Sequence, residues 1–567
     1  MTAPRSPLFL VAMTTLLCMT APAVAQISFM SGVTLPIGGE IVSFANGKLI
    51  ATNSGSAAGY HGVQVYSLSA SGSLTVSGSF SLDSVFGGAA NISSVSSVLA
   101  DSRGFGVATV IPTAMGSANL GRIAFFDTTT GSVLNTLDVG YHPDSVSITP
   151  DGTRLLIANE GEFVSTAADA SFARPGSMSI VNLAGVAGVG DVAGLTAANV
   201  QTFDFTTTNL ASGVTLNGVR NPRLDTLTVK TPDAADVEPE YITATNAKAY
   251  ITAQENNVIA VFDFATGKYE ALHPLGGITQ TIDASDQDGP SNGKLINVVS
   301  AVRGLPMPDT MVRFDRGGTT YLVTANEGDA RPDDGDIGRA STLYGTMTSS
   351  GSTYFSAAGR GRLTLLKNEG DTDADGLIDT PTMLGTRSFS IWNATTGSLT
   401  FDSGSMIEQY VAASDSTTFN INSGNAALWD TRSDDKGPEP EALAFGTING
   451  RDYVFVGTER QNGIFQFDIT DLNQVSITGY FNPTSSTLDS GGAFVSPESI
   501  QFIAAGAAGN PTGENLLIVG FEGTGSNGSI GVFAVPEPSA WLLAATGGLF
   551  AGVAVWRRRR GRTGGPS

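Results

Sequence analysis

Short runs of apolar and β-branched residues, separated by Gly, Asp and Asn, recur from residue 26 to residue 534. Runs of this length and composition predict β-strands joined by tight turns. Clear examples are residues 41–52, 121–127, 155–159, 249–253, 320–325, 453–457 and 516–520. This body shows no extended helical period of apolar residues, so the pattern predicts an all-β domain.

One unit of this pattern occurs five times. Each copy has a proline and an acidic residue, then a strand, a turn, a second apolar strand and a final Glu. The acids and the glutamates pair as Asp144/Glu160, Glu240/Glu255, Asp309/Glu327, Glu441/Glu459 and Glu498/Glu522. Their spacings of 16, 15, 18, 18 and 24 residues suit a β-hairpin that leaves one end of a sheet and returns to it.

A third strand follows most of these hairpins. The clear cases are residues 179–182, 259–263, 464–468 and 530–533, and weaker third strands occur at 62–66 and 123–127. Three strands, with a fourth in the linker, make one blade of a β-propeller. We expect seven blades, with six or eight as the alternatives.

Three further expectations concern the arrangement of the blades. Residues 387–403 are a candidate for a separate blade, and the N-terminal strand near Ile41 is expected to complete the last one, which removes an exposed sheet edge. Long insertions at roughly 185–235 and 330–430 interrupt the repeats. Insertions of this kind are where specificity is expected to be built.

The two ends of the chain are typical of sorting signals. Residues 1–25 contain an apolar run and end in Ala23-Val24-Ala25, which predicts a signal peptide. Residues 535–567 contain Val-Pro-Glu-Pro-Ser, a short apolar span at 540–556 that predicts a transmembrane helix, and an arginine cluster. This tail resembles the PEP-CTERM sorting signal, which implies processing by an exosortase. An ordinary single-pass anchor is the alternative, and either reading places the 26–534 domain outside the inner membrane.

The body resembles the choice-of-anchor I family, which is related to a mesenchyme-specific cell-surface glycoprotein. The residues that carry the resemblance are the five repeats, Thr-Ala-Asn-Glu-Gly-Asp-Ala-Arg at 324–331, Thr-Arg-Ser-Phe-Ser-Ile-Trp at 386–392, and Gly-Thr-Glu-Arg at 457–460. It covers most of residues 140–534. The resemblance implies a propeller at the cell surface and says little about activity.

Composition limits the kinds of partner, metal site and catalytic group that we expect in this protein. The chain has 30 basic and 52 acidic residues and a formal charge of −22, which disfavours nucleic-acid binding. Its one cysteine, Cys18, lies in the predicted leader, so we expect neither disulfides nor thiol ligands in the mature protein. The three histidines are isolated in sequence, which disfavours a zinc site and a serine-hydrolase triad.

The ten acids of the repeats form the first candidate site. In a propeller the first strand of a blade starts where the second ends, so we expect a ring of carboxylates near the central channel. The ring comprises Asp144, Glu160, Glu240, Glu255, Asp309, Glu327, Glu441, Glu459, Glu498 and Glu522. It requires a cation, basic partners such as Arg331 and Arg460, or raised pKa values. Calcium is one interpretation, with the amides of Asn159, Asn256, Asn257 and Asn326 as further oxygen ligands, and architectural contacts between blades are the other.

A second candidate is the loop Asp371-Thr-Asp373-Ala-Asp375-Gly-Leu-Ile-Asp379. Carboxylates at alternate positions, a Gly for the turn and a closing Asp predict a calcium loop like those of thrombospondin repeats and integrin propellers. A solvated acidic turn is the alternative. Weaker candidates are Asp283, Asp286 and Asp288, and Asp333, Asp334 and Asp336.

Three functions fit these features. The first is an exported, calcium-binding propeller that binds an exopolysaccharide or a protein at the cell surface or in the extracellular matrix. The second is a calcium-dependent hydrolase of the lactonase or phosphoesterase type, and the third is a non-catalytic scaffold that displays the insertions. The first fits best, because His and Cys nucleophiles are scarce. A catalytic calcium and a structural one use the same ligands, so the sequence leaves enzymatic activity open.

Overall fold

The structure of the protein is a computed structural model. It describes residues 26–35, 40–55, 60–113, 119–161, 174–222, 233–331, 335–486, 488, 492–524 and 527–535. Residues 26–536 form one compact unit. The predicted signal peptide, residues 1–25, and residues 536–567 of the predicted sorting tail lie outside the described residues.

Seven sheets of four or five antiparallel strands make up most of the described chain. Strand β1 is Ser28–Thr34. The first sheet contains β2 (Val42–Ala45), β3 (Lys48–Gly55), β4 (Tyr60–Leu68) and β5 (Leu74–Ser81). The second contains β6 (Ile92–Ser94), β7 (Val98–Ala100), β8 (Phe105–Pro112), β9 (Arg122–Asp127) and β10 (Val133–Asp138). The third contains β11 (Pro143–Ile148), β12 (Arg154–Asn159), β13 (Ser177–Asn182) and β14 (Val200–Asp204). The fourth contains β15 (Ile242–Ala244), β16 (Lys248–Ala253), β17 (Val258–Asp263) and β18 (Lys268–Pro274).

The second half of the chain adds three more sheets of this kind. Outside them lie β19 (Ile278–Ile282) and β20 (Ser300–Leu305). The fifth sheet begins with β21 (Met311–Arg316) and β22 (Thr319–Ala325). The chain then forms β23 (Ile337–Arg339), β24 (Thr364–Leu366) and β25 (Thr382–Leu384), and returns to the fifth sheet with β26 (Phe389–Asn393) and β27 (Leu399–Asp402). The sixth contains β28 (Pro440–Ile448), β29 (Arg451–Thr458), β30 (Gly463–Asp468) and β31 (Ser476–Phe481). The seventh contains β32 (Pro497–Ile503), β33 (Asn515–Thr524) and β34 (Asn527–Val535), with β1 paired to β34.

The middle strands of the sheets are buried on both faces. All eight residues of β8 are buried, as are five of the six in β12 and in β17. Because neighbouring sheets cover both faces, these strands are nearly continuous apolar runs. The outer strand β5, by contrast, contains no fully buried residue.

Hydrophobic clusters join each sheet to the next. Phe125 of the second sheet packs with Ile157 of the third, and Phe455 of the sixth packs with Phe533 of the seventh. A further cluster joins Phe44 of the first sheet to Ile518 of the seventh. The first strands of the sheets also contact one another in a closed cycle. The predicted all-β propeller class is confirmed, and the count of seven blades stays a prediction with which these seven sheets agree.

Two expectations about blade boundaries are wrong. Residues near Ile41 do not complete the last sheet; they lead into β2, the first strand of the first sheet, and β1 pairs with β34 instead. Residues 387–403 do not form a separate blade, because β26 pairs with β22 of the fifth sheet. The intervening insertion hides this pairing, since it separates the second and third strands of one blade by more than sixty residues.

The insertions pack together beside the fifth sheet. Strand β20 pairs in parallel with β25, and β23 pairs with β24. Ile282, Val302, Phe355 and Leu363 share a separate hydrophobic cluster. Residues 275–310 therefore belong with the predicted 330–430 insertion, although no repeat irregularity in the sequence indicated this segment.

The helices within the described ranges are short. The α-helices there are α1 (Val189–Val192), α2 (Ser349–Ser356) and α3 (Met406–Ser414). Three-residue 3-10 helices occur at Ala89–Asn91, Ala197–Asn199, Ala234–Asp236, Pro290–Asn292, Ala340–Thr342, Tyr344–Thr346, Arg360–Arg362, Ser416–Thr418 and Ala426–Leu428. In the described part of the chain no helix has the length and apolar character needed to cross a membrane, and the predicted span at 540–556 lies outside that part.

Candidate functional site: an acidic cavity

Three of the five acids that open the repeats lie at irregular points of the first strands. Asp144, Glu441 and Glu498 fall where the register of the hairpin shifts, so they are not paired with the second strand. A bulge of this kind turns a side chain away from the regular pleat. The β-bulges therefore direct these carboxylates out of the sheets.

The residue before the repeat proline has an unusual backbone conformation in several repeats. His142, Met307, Glu439 and Ser496 each have a positive φ, between 45° and 59°. Such a conformation is uncommon for residues other than Gly and persists where the surrounding structure requires it. It recurs at the entry to four first strands, and sequence reasoning missed it.

A cavity of about 520 Å³ lies next to the acids that follow these prolines. Seven of the ten predicted carboxylates line it, namely Asp144, Glu160, Glu240, Asp309, Glu327, Glu441 and Glu498. Glu40 is an eighth lining carboxylate that the repeat pattern did not indicate, because it precedes the weakly patterned first sheet. Of the described side chains that line the cavity, His142 alone can carry a positive charge, and it pairs with Glu160.

The other three predicted members lie elsewhere. Glu459 is buried and its carboxylate lies close to those of Glu441 and Glu498, although it does not line the cavity. Glu255 is buried beside Glu238 and Arg331. The Glu522 side chain is 45% exposed, so this residue is the least like a member of the ring.

Three triads of carboxylates lie within coordinating distance. In each triad one oxygen from every residue lies within 4.8 Å of the other two. The triads are Asp309/Glu327/Glu441, Glu441/Glu459/Glu498 and Glu327/Glu439/Glu459. The structure thus brings together five of the predicted residues and adds Glu439.

Cations from the chain neutralise one side of this cluster. The Lys436 ammonium pairs with Glu327 and lies 3.0 Å from Glu439, which also pairs with Arg432. Arg460 lies 2.7 Å from Glu459, as the sequence suggested. Lys436 and Arg432 come from the long insertion, so their role was not visible in the repeats.

The pKa values follow this division only in part, because burial raises the pKa of Glu327 and of Glu459 despite their pairing with Lys436 and Arg460. Burial raises the pKa of Asp144 and of Glu498 to about 7, and burial with neighbouring carboxylates raises that of Glu441 well above its usual range. Burial also opposes ionisation of Glu439, but Lys436 and the two arginines outweigh it and hold the pKa of Glu439 below its ordinary value. The cavity side of the cluster is therefore short of positive charge.

Two buried carboxylate oxygens in the cavity lack a hydrogen-bond donor among the described residues. They are Oε2 of Glu240 and Oε2 of Glu441. The Glu240 residue is only 8% exposed. A buried acceptor without a donor costs about 1–3 kcal/mol, so native structures rarely leave one unexplained.

The four asparagines suggested as calcium ligands have other partners. Asn159 and Asn326 are buried inside blades, where their amides bind backbone groups and hydroxyls, such as Ser179 and Ser390. Asn256 and Asn257 bind backbone groups of adjoining loops. They do not line the cavity.

A close backbone approach fixes the segment after Glu327. Gly328 and Gly385 both have positive φ values, of 79° and 67°. A Cβ atom on Gly328 would lie 2.0 Å from the Gly385 nitrogen. Glycine at this position lets the returning insertion pass directly beside the Glu327 carboxylate.

The 371–379 loop lies apart from this cavity. Asp371, Asp373 and Asp379 place one oxygen each within 4.8 Å of the others. Asp375 does not join this group, and its carboxylate accepts a 2.8 Å hydrogen bond from the Leu377 nitrogen. Two hydrogen bonds from Thr372 hold the pKa of Asp379 below its usual range.

The weaker acidic candidates are occupied by protein contacts. Asp283 is buried and accepts from the Asn297 nitrogen, Asp286 pairs with Arg362, and Asp336 pairs with Arg220. Asp288 accepts from the Asn297 amide. Asp333 and Asp334 lie outside the described residues.

Comparison with known proteins identifies the body and the tail. The model of the choice-of-anchor I domain matches residues 40–472. The chain belongs to the choice-of-anchor I family. The PEP-CTERM protein-sorting motif matches residues 534–560, which indicates export, sorting to the envelope or surface, and processing by exosortase-type machinery.

Individual relatives are distant from this choice-of-anchor I protein. Gigasin-3a of Magallana gigas is 29% identical over 188 residues, which span 31% of this chain and 64% of that protein. The chain thus spans less than two thirds of the relative's length.

Solved structures resemble it only loosely. The C-terminal WD40 domain of Sif2 is 10% identical with a TM-score of 0.40, over 91% of this chain and 99% of that one. BamB from Moraxella catarrhalis is 11% identical with a TM-score of 0.34, over 89% and 86%. Likenesses at this level carry no functional argument.

Proposed function

We propose that this exported propeller binds calcium in its central cavity and uses the loaded cavity to bind a component of the cell surface or extracellular matrix. The observation that carries the proposal is the Asp309/Glu327/Glu441 triad, whose oxygens converge within 4.8 Å in a cavity lined by eight carboxylates.

Charge balance supports a cation at this place. Carboxylates this close cannot all ionise without compensation. Lys436 compensates Glu327, and His142 pairs with Glu160, but Glu240 and Glu441 keep buried oxygens without donors among the described residues. Calcium takes six to eight oxygen ligands in irregular geometry, which suits such a set better than magnesium does.

The 371–379 loop is proposed as a second, peripheral calcium site. Its contribution is structural in this proposal, because the loop lies on the insertion and its side chains are mostly exposed. Binding a cation there relieves the repulsion among Asp371, Asp373 and Asp379.

The partner follows from location and from the lining of the cavity. Ser93, Ser94, Ser96 and the Tyr241 ring line the cavity beside the carboxylates. Hydroxyls, an aromatic ring and a calcium ion together suit a hydroxyl-rich ligand, so an exopolysaccharide is the partner we propose, ahead of a surface protein.

A calcium-dependent hydrolase is the second candidate. The observation that favours it is the pKa of about 7 for Asp144 and for Glu498, since a carboxyl group with such a pKa exchanges protons efficiently near neutral pH. A lactonase or phosphoesterase would place its substrate against the bound calcium and these groups.

Calcium titration calorimetry of the full chain tests the proposal. We expect heat of binding and a raised thermal midpoint with calcium, both reduced in Asp309→Asn and in Glu441→Gln. Glu514→Gln, at an exposed acid that does not line the cavity, is the matched control and retains both responses. A calcium response that these two cavity variants leave unchanged contradicts the cavity site.

The same preparations separate the two functions. A screen of lactones and phosphoesters, with and without chelator, gives no calcium-dependent turnover if the protein is a binder. Turnover that chelation abolishes and Asp144→Asn weakens favours the hydrolase.

A further inference from the structure

We propose that the cavity holds two divalent cations bridged by the Glu441 carboxylate. One cation lies among Asp309, Glu327 and Glu441. The other lies among Glu441, Glu459 and Glu498. This inference rests on the proposed function, because it divides the same cavity region into two adjoining sites.

The distances allow both ions. Two oxygens that bind one calcium ion at 2.3–2.6 Å lie at most about 5 Å apart. The oxygens of each triad lie within 4.8 Å of one another, and Glu441 belongs to both triads. A carboxylate has two oxygens, so one residue can serve two ions.

The third triad shows what neutralises such a group. Glu327, Glu439 and Glu459 also lie within 4.8 Å of one another. There the chain supplies the cations itself, through Lys436 and Arg460. The chain therefore compensates part of the negative charge of this triad.

Each proposed site shares one ion-paired residue with this triad, Glu327 or Glu459, and its other two carboxylates are not paired with a lysine or arginine in the described chain. Within the described ranges, no lysine or arginine lies within 4.0 Å of the carboxylates of Asp309, Glu441 or Glu498. The chain therefore neutralises the side of the cluster near Glu439 and leaves the side near Glu441 to a ligand.

Buried oxygens without donors give an independent indication. Oε2 of Glu441 is fully buried and has no hydrogen-bond partner among the described residues. The same holds for Oε2 of Glu240, a residue that is 8% exposed and lines the same cavity. A buried acceptor without a donor is a group that a bound cation can satisfy.

Stoichiometry tests the bridge. Equilibrium dialysis of the full chain against calcium alone counts the bound ions, with Asp371→Asn and Asp373→Asn present in every sample to remove the peripheral loop site. We expect two ions per chain in this background. Glu441→Gln loses both ions, whereas Asp309→Asn and Glu498→Gln lose one each.

Glu522→Gln is the matched control, because Glu522 closes a repeat as Glu459 does yet its side chain is 45% exposed. It retains two ions. If Glu441→Gln does not fold, as judged by circular dichroism, the two other variants still decide. One ion in the background protein, lost in Asp309→Asn and kept in Glu498→Gln, overturns the bridge and leaves the proposed function standing; no bound ion overturns both.

Discussion

Asp144 provides a test of the electrostatics of the cavity. Burial and the nearby Glu160 raise the pKa of this carboxyl from 3.8 to about 7. A group whose pKa is raised by folding contributes stability below its unfolded pKa and loses it as the pH rises through the folded value. Without calcium, Asp144 should therefore destabilise the fold progressively between about pH 4 and pH 7.

The size of this effect follows from the pKa. At about 1.4 kcal/mol per pH unit, the rise corresponds to about 4 kcal/mol, and water in the cavity screens this to about 2–4 kcal/mol. Asp144→Asn removes the charge while keeping the shape. We expect the variant to exceed the wild type in stability by that amount at pH 8 and to match it near pH 4.

Urea denaturation in the presence of a chelator measures the difference at both pH values. Asp138→Asn is the control, because the Asp138 side chain is 63% exposed and its charge costs little. If Asp144→Asn exceeds the wild type in the free energy of unfolding by the same amount at both pH values, or does not exceed it at pH 8, the reasoning is refuted.

Three further predictions concern packing and charge. Lys436→Met leaves Glu327 without a cation and should lower the free energy of unfolding by about 3–5 kcal/mol; an unchanged urea midpoint would show that the Lys436–Glu327 pair is not needed. Phe455→Ala, in the cluster between the sixth and seventh sheets, should lower the free energy of unfolding by about 3–5 kcal/mol. Val76→Ala, at a 56% exposed position, should change it by less than about 0.5 kcal/mol. Equal effects of the two substitutions would count against the packing described. Calcium should protect the 371–379 loop from limited proteolysis, and Asp373→Asn should weaken this protection. Full protection in that variant would exclude a calcium site there.

The blade pattern could be predicted from the sequence because it repeats. The Pro-acid-strand-turn-strand-Glu unit predicted the hairpins of the third to seventh sheets, and the insertion hid only the pairing of the third strand, β26, with β22 in the fifth. The first strand β1 was missed because its partner, β34, lies about 500 residues away, and such a pairing has no local signal.

The site was predictable for the same reason and to the same extent. Residues at equivalent positions of successive blades tend to meet near the axis, and seven of the ten predicted acids line the cavity. The sequence could not indicate Lys436, Arg432 or Glu40, because each reaches the cavity region through irregular segments. Nor could it show that Glu522 is largely exposed, since that depends on how the loop at the end of β33 turns.

Diffraction from crystals grown with calcium tests the central claim most directly. Anomalous scattering locates each ion without reference to the surrounding atoms. We predict peaks in the cavity at 2.3–2.6 Å from carboxylate oxygens of Asp309, Glu327 and Glu441. A cavity without any peak, at a calcium concentration that fills the 371–379 loop, would contradict the claim that this propeller binds calcium at its centre.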